Sequence, residues 1–141
     1  MKFLKFGNSS KFIVFLHGWG SDKNSFLWLK DNFKDKSLIF VDFDGFGESN
    51  EPTKPYFVSD YVKNLKELLD SFQIESLVLV GHSCGGRVAI KFSFFYQNDY
   101  EIFKLCLVDS AGILPRRGIK YYFHFYRYKF YKKYQIYQIL Y

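Results

Sequence analysis

Gly81-His82-Ser83-Cys84-Gly85-Gly86 is the stretch of sequence that decides the fold. Its first five residues have the form G-x-S-x-G. They follow an apolar run at 77–80 and open a segment with helical periodicity at 84–96. This strand–turn–helix setting is the one that a nucleophile elbow requires, in which a strained tight turn presents a serine hydroxyl above the sheet. Side chains at Gly81 or Gly85 would collide across such a turn. We therefore interpret Ser83 as a nucleophile rather than as part of an ordinary glycine-rich turn.

The rest of the chain alternates between short apolar runs and helical patterns. The apolar runs lie at 12–16, 38–41, 77–80 and 102–108, and they fit strands that are covered on both faces of a parallel sheet. Helical patterns lie between them at 24–33, 61–72 and 84–96, and Ser59 or Asp60 is expected to cap the second helix. A weak strand pair is expected near residues 3–6. This order predicts an α/β fold with a mostly parallel sheet.

Two further motifs follow the first two strong strands. The first is His17-Gly18-Trp19-Gly20, and the second is Asp42-Phe43-Asp44-Gly45-Phe46-Gly47-Glu48-Ser49. Together with the elbow, in this order and at this spacing, they resemble the α/β-hydrolase family over residues 11–109. Asp44 departs from the family pattern, because relatives often have proline there, and this departure is expected to change the turn and not the chemistry.

The resemblance implies roles for individual residues. Ser83 would attack a carbonyl carbon and form an acyl-enzyme, while the backbone N–H groups of Trp19 and Cys84 would hold the oxyanion. A serine at this position argues against relatives that use aspartate, such as haloalkane dehalogenases and epoxide hydrolases. It favours esters, thioesters, amides or certain C–C bonds. The remaining motif positions would shape the turns: His17, Gly18, Gly20, Asp42, Gly45, Gly47, Ser49, Gly81, His82, Gly85 and Gly86.

Four of these motif residues also have a simpler structural interpretation, which we favour. His82 is expected to pack beside the serine rather than to act as its base. His17 is expected to order its loop by hydrogen bonding, and Asp42 to stabilise the turn that it begins. Cys84 is expected to fill space beside the site, although a helix N-terminus could also lower the pKa of its thiol.

The acid and the base of a catalytic triad are harder to find. In this family the order along the chain is Ser, then Asp or Glu, then His, with the acid usually after the seventh strand and the histidine after the eighth. Residues 102–108 correspond to the sixth strand, so the resemblance implies a truncated sheet that lacks the last two strands and exposes the sixth as an edge. Asp109 is a minor candidate for the acid, and His124 is a minor candidate for the base.

The chain divides by composition into a core, residues 1–112, and the start of a basic, aromatic helical cap, residues 113–141, with the change near Pro115. The net charge is +6, but all 14 acidic residues precede Ser110. Seven of the 20 basic residues follow it, namely Arg116, Arg117, Lys120, Arg127, Lys129, Lys132 and Lys133. We favour the cap over a membrane-surface helix and over a nucleic-acid patch, and we expect neither of those contacts.

The remaining features predict the compartment, the cofactors and the partners of the protein. Two cysteines outside any metal or redox spacing, no leader-like apolar segment and no membrane span predict a soluble cytoplasmic protein. No cofactor or metal is implied. The expected partners are a small-molecule acyl substrate and either a complementing chain or a second copy at the sheet edge. The alternative to an active hydrolase is a catalytically inactive remnant or a binding module.

Overall fold

A five-stranded, mostly parallel sheet forms the centre of the molecule. The structure is a computed structural model that describes residues 1–72, 74, 76–113 and 118–133. The strands are β1 (Lys2–Phe6), β2 (Phe12–Leu16), β3 (Ser37–Asp42), β4 (Ser76–His82) and β5 (Glu101–Val108). They lie in the order β1-β3-β2-β4-β5, with β1 antiparallel to β3 and every other pair parallel. The predicted α/β class with a mostly parallel sheet is confirmed.

Two α-helices cover one face of the sheet, and the larger part of the hydrophobic core lies between them and that face. Helix α1 (Val58–Asp70) and helix α2 (Cys84–Tyr96) pack over alternate residues of the central strands. Leu65 and Leu69 of α1 and Phe92 of α2 are fully buried there. The stripe of apolar residues that predicted α1 is therefore the side of the helix that faces the sheet.

A 3₁₀ helix at Lys23–Asn32 covers the other face, but only over part of it. Its apolar side chains pack with Phe15 and Phe40, which stack on each other with ring centroids 4.6 Å apart. Asp22 caps this helix by accepting a hydrogen bond from the Asn24 N–H at 2.8 Å. Over β4 and β5 this face has no comparable cover from the described part of the chain, since Phe103 and Val108 are exposed.

Several local predictions need correction. The segment predicted as a helix at 24–33 is a 3₁₀ helix, and α1 begins at Val58, three residues before the predicted start. Neither Ser59 nor Asp60 is its N-cap: Phe57 holds that position, and Asp60 in the first turn accepts a hydrogen bond from the Phe57 N–H at 2.7 Å. The strand pair expected near residues 3–6 is the single strand β1, which pairs with β3 rather than with a neighbour in sequence.

Beyond β5 the described chain ends in one more helix, α3 (Ile119–Lys133). Its exposed side chains are mostly aromatic or basic. The composition change near Pro115, the basic residues Arg116 and Arg117, and everything after Lys133 lie outside the described residues, as do the side chains of Lys132 and Lys133. The division into a core and a cap stays a prediction.

Candidate active site

The elbow at Ser83 joins β4 to α2 in a backbone conformation that side chains rarely adopt. Ser83 has φ 47° and ψ −112°, and α2 begins at the next residue, Cys84. The turn is so tight that a Cβ on Gly81 would lie 2.7 Å from the Gly85 carbonyl oxygen. A Cβ on Gly85 would collide with the carbonyl oxygens of Leu16 and His17. Glycine at these two positions is therefore a steric requirement, and Ser83 is held at the N-terminus of a helix.

The end of strand β5 fixes Ser83 through its backbone. The Ser83 N–H donates to the carbonyl oxygen of Val108 at 3.1 Å, and the Ser83 carbonyl oxygen accepts from the Ala111 N–H at 3.0 Å. Between these two partners lies Asp109, with φ 43°. Ser110 fills the space beside the elbow so tightly that a Cβ on Gly86 would collide with its side chain. The turn at Asp109-Ser110-Ala111-Gly112 is thus a second support of the elbow.

The loop at His17–Gly20 lies on the other side of Ser83. A Cβ placed on Gly18 would lie 3.3 Å from the Cβ of Ser83 and 2.7 Å from Nδ1 of His82. Trp19 follows with its side chain 72% exposed, and its ring makes an edge contact with Phe46 at 4.9 Å between centroids. The backbone N–H groups proposed for the oxyanion hole, those of Trp19 and Cys84, therefore belong to two segments that meet at Ser83.

His17 is buried and both of its ring nitrogens are occupied. Nδ1 lies 2.7 Å from the Gly18 carbonyl oxygen, and Nε2 accepts a hydrogen bond from the Phe43 N–H at 3.1 Å. Since Nε2 accepts, Nδ1 carries the proton and donates to Gly18. Burial lowers the pKa of His17 below its ordinary value, so the ring is neutral at pH 7. The histidine links the two motif loops, as the structural interpretation expects.

Asp42 organises the turn that follows β3, and its carboxylate is fully buried. It accepts hydrogen bonds from Lys23 Nζ at 2.7 Å and from the backbone N–H groups of Lys23 at 2.7 Å and Glu48 at 2.9 Å. Ser49 Oγ donates to the Asp42 carbonyl oxygen at 2.8 Å. Burial alone would raise the pKa of Asp42, but the hydrogen bonds from Lys23 and Glu48 outweigh it and hold the pKa below its ordinary value.

The same turn is tied to α1 through Asp44, the residue that departs from the family pattern. Its Oδ2 accepts a hydrogen bond from Asn64 Nδ2 at 2.6 Å. A proline could not make this link. The departure therefore replaces a rigid turn residue with a side-chain bond to the neighbouring helix.

The Cys84 thiol has no sign of activation. Burial raises its pKa above the ordinary value, and the nearby charge of Arg87 offsets this only in part. Burial therefore opposes the alternative in which the helix N-terminus lowers that pKa. The interpretation of Cys84 as a space-filling residue remains.

The two minor candidates for acid and base lie in different settings. Asp109 is exposed and directly follows β5, whose last residue, Val108, pairs with His82 of β4. It therefore lies at the same sheet end as Ser83. His124 is exposed on α3, where its ring contacts that of Phe123. Among the hydrogen bonds of the described residues, none involves Ser83 Oγ, so the structure does not pair the serine with either candidate.

A cavity of about 390 Å³ lies at the opposite end of the sheet. Its lining comes from the amino ends of β2, β4 and β5, and includes Phe12, Leu77 and Phe103. Ligands of open α/β sheets bind outside the carboxyl ends of the strands, where Ser83 lies. This cavity therefore lies at the end of the sheet away from Ser83. The part of the chain that the structure describes also contains no cluster of three or more metal-ligating side chains.

Comparison with known proteins agrees with this geometry. The family model described as "alpha/beta hydrolase fold" matches residues 11–132. Lipase 1 of Psychrobacter immobilis is 33% identical over 102 residues, which are 71% of this chain and 32% of the lipase. The chain belongs to the α/β-hydrolase family, and it spans about a third of the length of the curated relatives that it matches.

Two solved structures show the same arrangement. An esterase from Exiguobacterium antarcticum superimposes with a TM-score of 0.68 at 27% identity, covering 78% of this chain and 41% of the esterase. A thermophilic esterase from Thermogutta terrifontis gives a TM-score of 0.72 at 24% identity, covering 81% and 42%, and shows the fold alone. The chain is therefore hydrolase-like in family, with lipases and esterases among its relatives.

Sequence reasoning missed two residues that shape the site. Lys23 is buried and pairs with Asp42, although lysine is among the residues least often buried. No periodic signal marks it, because its partner lies 19 residues away. Ser110 lies in the turn that follows β5, and only its packing against Gly86 shows that it supports the elbow.

None of the helices in the ranges that the structure describes has the length and apolarity that a membrane crossing requires.

Proposed function

We propose that the protein acts as a serine hydrolase on a small acyl substrate, with Ser83 as nucleophile. The observation that carries this proposal is the strained backbone of Ser83 at the start of α2, supported on one side by the Gly18 loop and on the other by Ala111. Proteins maintain such strain, which costs of order 1–3 kcal/mol, where a function needs it. The lipase and esterase relatives support the same chemistry.

The proposed reaction is acyl transfer in two steps. Ser83 Oγ attacks the carbonyl carbon while its proton passes to a base, and the carbonyl electron pair moves onto oxygen. The N–H groups of Trp19 and Cys84 stabilise that oxyanion, aided by the positive end of α2. When the tetrahedral intermediate collapses, the leaving group takes the proton, and water then releases the acyl group by the same route. The bond broken is an ester, thioester, amide or C–C bond.

We propose that the base comes from outside the described residues, because none of the hydrogen bonds of the described residues joins His82 to Ser83 Oγ and the other two histidines are no better placed. His17 is neutral and engaged at both nitrogens, and His124 lies on α3 with its ring against Phe123. We therefore propose that this chain is the front half of the catalytic domain, and that a further segment or a complementing chain supplies the triad acid and base. The chain covers only about a third of the length of its curated relatives, and this supports the proposal.

Strand β5 offers the place where such a segment would join. Among the strands that the structure describes it pairs with β4 alone, and it carries Phe103 at 74% and Val108 at 47% exposure. An edge with exposed apolar residues is a template for another strand, either from a complementing chain or from a second copy. The two free cysteines are compatible with a reducing compartment, and we propose the cytoplasm.

A fluorophosphonate probe tests the proposal, because it reacts only with an activated serine. The 141-residue chain is incubated with the probe with and without about 100 mM imidazole, which can act as a diffusible base in place of the absent histidine. Labelling at Ser83 is expected to be slow alone, since an oxyanion hole retains part of the catalysis without a triad. Imidazole is expected to increase it at least tenfold.

The controls separate the elbow from general serine reactivity. Ser83→Ala is expected to abolish labelling, and Ser110→Gly is expected to retain part of it because the hydroxyl of Ser110 is not the target. If labelling persists in Ser83→Ala, another group reacts and the assignment of the nucleophile fails. If no labelling occurs even with imidazole, the chain is an inactive remnant or a binding module.

A further inference from the structure

The oxyanion loop, residues 18–22, is held at both ends by two neighbouring residues at the end of β3. His17 precedes the loop, and its Nε2 accepts a hydrogen bond from the Phe43 N–H at 3.1 Å. Lys23 follows the loop, and its backbone N–H and its Nζ each donate to the Asp42 carboxylate at 2.7 Å. Because Asp42 and Phe43 are consecutive, both ends of the loop are fixed to adjacent points of the same turn.

Contacts within the oxyanion loop are weaker than those at its ends. The Ser21 N–H donates to the Gly18 carbonyl oxygen at 3.3 Å, a long hydrogen bond. A Cβ on Gly20 would meet nothing within 4 Å. The exposed ring of Trp19 contacts the edge of Phe46, which belongs to the turn that follows β3. The direction of the Trp19 N–H therefore depends on how the two ends of the loop are attached to that turn.

Lys23 is an unusual residue for one of these ends, because its side chain is only 6% exposed. Its ammonium group pairs with the buried Asp42 at 2.7 Å and with the exposed Glu48 at 2.9 Å. The hydrogen bond to Asp42 raises the pKa of Lys23, so the group is charged at pH 7. A buried ion pair is often no more stabilising than apolar side chains of the same volume, but it fixes its partners in one geometry.

We propose that Lys23 is a positioning residue for the oxyanion hole. Its two hydrogen bonds to Asp42 hold the oxyanion loop so that the Trp19 N–H points to the place where the substrate oxygen lies above Ser83. This inference rests on the proposed serine hydrolase and adds to it a residue that touches neither the substrate nor the nucleophile.

The position of the loop matters because the two oxyanion donors belong to separate segments. The Cys84 N–H is held by the elbow, whereas the Trp19 N–H is held only through its loop. A Cβ on Gly18 would lie 3.3 Å from the Cβ of Ser83, so the loop and the elbow are in close contact. Donors act at about 2.7–3.1 Å from the oxyanion, and a displacement of about 1 Å can cost about 100-fold in rate. Release of the loop is therefore expected to slow acyl transfer.

Replacement of Lys23 tests the proposal in the fluorophosphonate assay with imidazole. Lys23→Met keeps a side chain of similar length without the ammonium group, and is expected to slow labelling of Ser83 about tenfold. Loss of a whole oxyanion donor would cost about 100- to 1000-fold. Lys23→Arg can still pair with Asp42 and is expected to keep at least half of the rate. If Lys23→Met does not fold, Lys23→Gln replaces it, with an expected decrease of at least threefold.

Two control variants separate positioning from stability. Lys66→Met removes another lysine whose Nζ donates to an aspartate, Asp70, at 2.6 Å, but on α1. Leu69→Ala removes a fully buried side chain of the same helix and is expected to destabilise the chain strongly. Labelling is compared at a temperature where urea unfolding shows every variant to be folded. Both controls are expected to label within twofold of the unmodified chain.

The fluorescence of Trp19 reports on the oxyanion loop without any need for catalysis. The chain has two tryptophans, so Trp28→Phe leaves Trp19 as the only one. Time-resolved anisotropy separates local motion of the ring from overall tumbling, and self-association through β5 changes only the latter. In this background Lys23→Met is expected to at least double the amplitude of local motion, and Lys66→Met is expected to leave it unchanged.

The outcomes distinguish this inference from the proposed function. Equal labelling of folded Lys23→Met and the unmodified chain would overturn the inference and leave Ser83 as the nucleophile. A decrease no larger than that of Leu69→Ala, or unchanged motion of Trp19, would overturn it as well. If the unmodified chain is not labelled at all, the proposed function fails by itself, and the motion of Trp19 then decides whether Lys23 holds the loop.

Discussion

Strands β3 and β5 have similar amounts of apolar sequence but very different surroundings. All six residues of β3 are buried, including Ser37 and Asp42, because β1 and β2 flank the strand and helices cover both faces. None of the eight residues of β5 is buried to that degree. Burial is therefore set by a strand's position in the sheet as much as by its composition. The apolar residues of β5 match an interior strand, although the described chain leaves it at an edge.

The largest expected effect comes from replacing an aromatic residue in each strand. Phe40→Ala in β3 removes a fully buried ring that stacks on Phe15, and is expected to lower the free energy of unfolding by about 3–5 kcal/mol. Phe103→Ala in β5 removes an exposed ring and is expected to cost less than about 0.5 kcal/mol. Urea unfolding measures both. Equal losses would mean that β5 is covered in solution.

The second comparison concerns the aspartates at the ends of these strands. Asp42→Asn is expected to cost about 3 kcal/mol at pH 7, because it leaves the buried Lys23 ammonium group with the exposed Glu48 carboxylate as its charged partner. Asp109→Asn, at an exposed position, is expected to cost less than about 0.5 kcal/mol. Thermal and urea unfolding of both variants measure the difference. Similar losses of unfolding free energy in the two variants would show that the hydrogen bonds of the Asp42 carboxylate contribute little to stability.

The depressed pKa of Asp42 also predicts a pH dependence with a definite sign. A carboxyl whose folded pKa lies below its unfolded value of about 4 contributes its full stability above pH 4, and loses it as the pH falls through the folded pKa. Below pH 4 the difference in stability between the unmodified chain and Asp42→Asn is therefore expected to shrink. Urea midpoints between pH 7 and pH 3 test this, and a constant difference would contradict it.

A smaller effect is expected at the elbow, where an interior strand meets the edge strand. Ser83→Gly relieves the positive φ and is expected to raise the free energy of unfolding by about 1 kcal/mol relative to Ser83→Ala. Both variants lack the hydroxyl, so the difference measures the relief of backbone strain less the greater unfolded-state entropy of glycine. Indistinguishable unfolding midpoints would show that β5 does not hold Ser83 in this conformation.

The smallest change in stability is expected for charges placed on the edge itself. The unmodified chain is expected to self-associate as its concentration rises, and F103K/V108K is expected to be monomeric with an unfolding free energy within about 0.5 kcal/mol of the original. Phe94→Lys, which removes an exposed aromatic residue from α2, is the matched control and should keep the association. Analytical ultracentrifugation distinguishes them. A monomeric unmodified chain would refute the role of the edge.

The parts of the fold that the sequence predicted are those with a local cause. The bounds of β2 and α2 agree with the predicted ones. The apolar run of β2 ends at His17-Gly18, and the elbow at Ser83 starts α2. The 3₁₀ geometry of Lys23–Asn32 and the pairing of β1 with β3 could not be predicted in this way. Both depend on contacts with residues far away in sequence.

The candidate site shows the same limit. The position of Ser83 in an elbow follows from its flanking glycines and the adjoining strand. The backbone hydrogen bonds of Ser83 with Val108 and Ala111 could not be predicted, because those residue types do not indicate where their backbone groups point. Likewise, the tautomer of His17 is fixed by the N–H of Phe43, 26 residues away.

The two backbone hydrogen bonds of Ser83, with Val108 and Ala111, have a consequence for local unfolding. Both bonds join Ser83 to β5, the least covered strand, or to the turn that follows it. The amides of Ser83 and Ala111 are therefore expected to exchange with solvent together with those of β5. The amides of β3 should exchange only on global unfolding. Fraying at the edge would then release the elbow while the centre of the sheet stays intact, and partners that bind β5 would slow exchange at a serine they never touch.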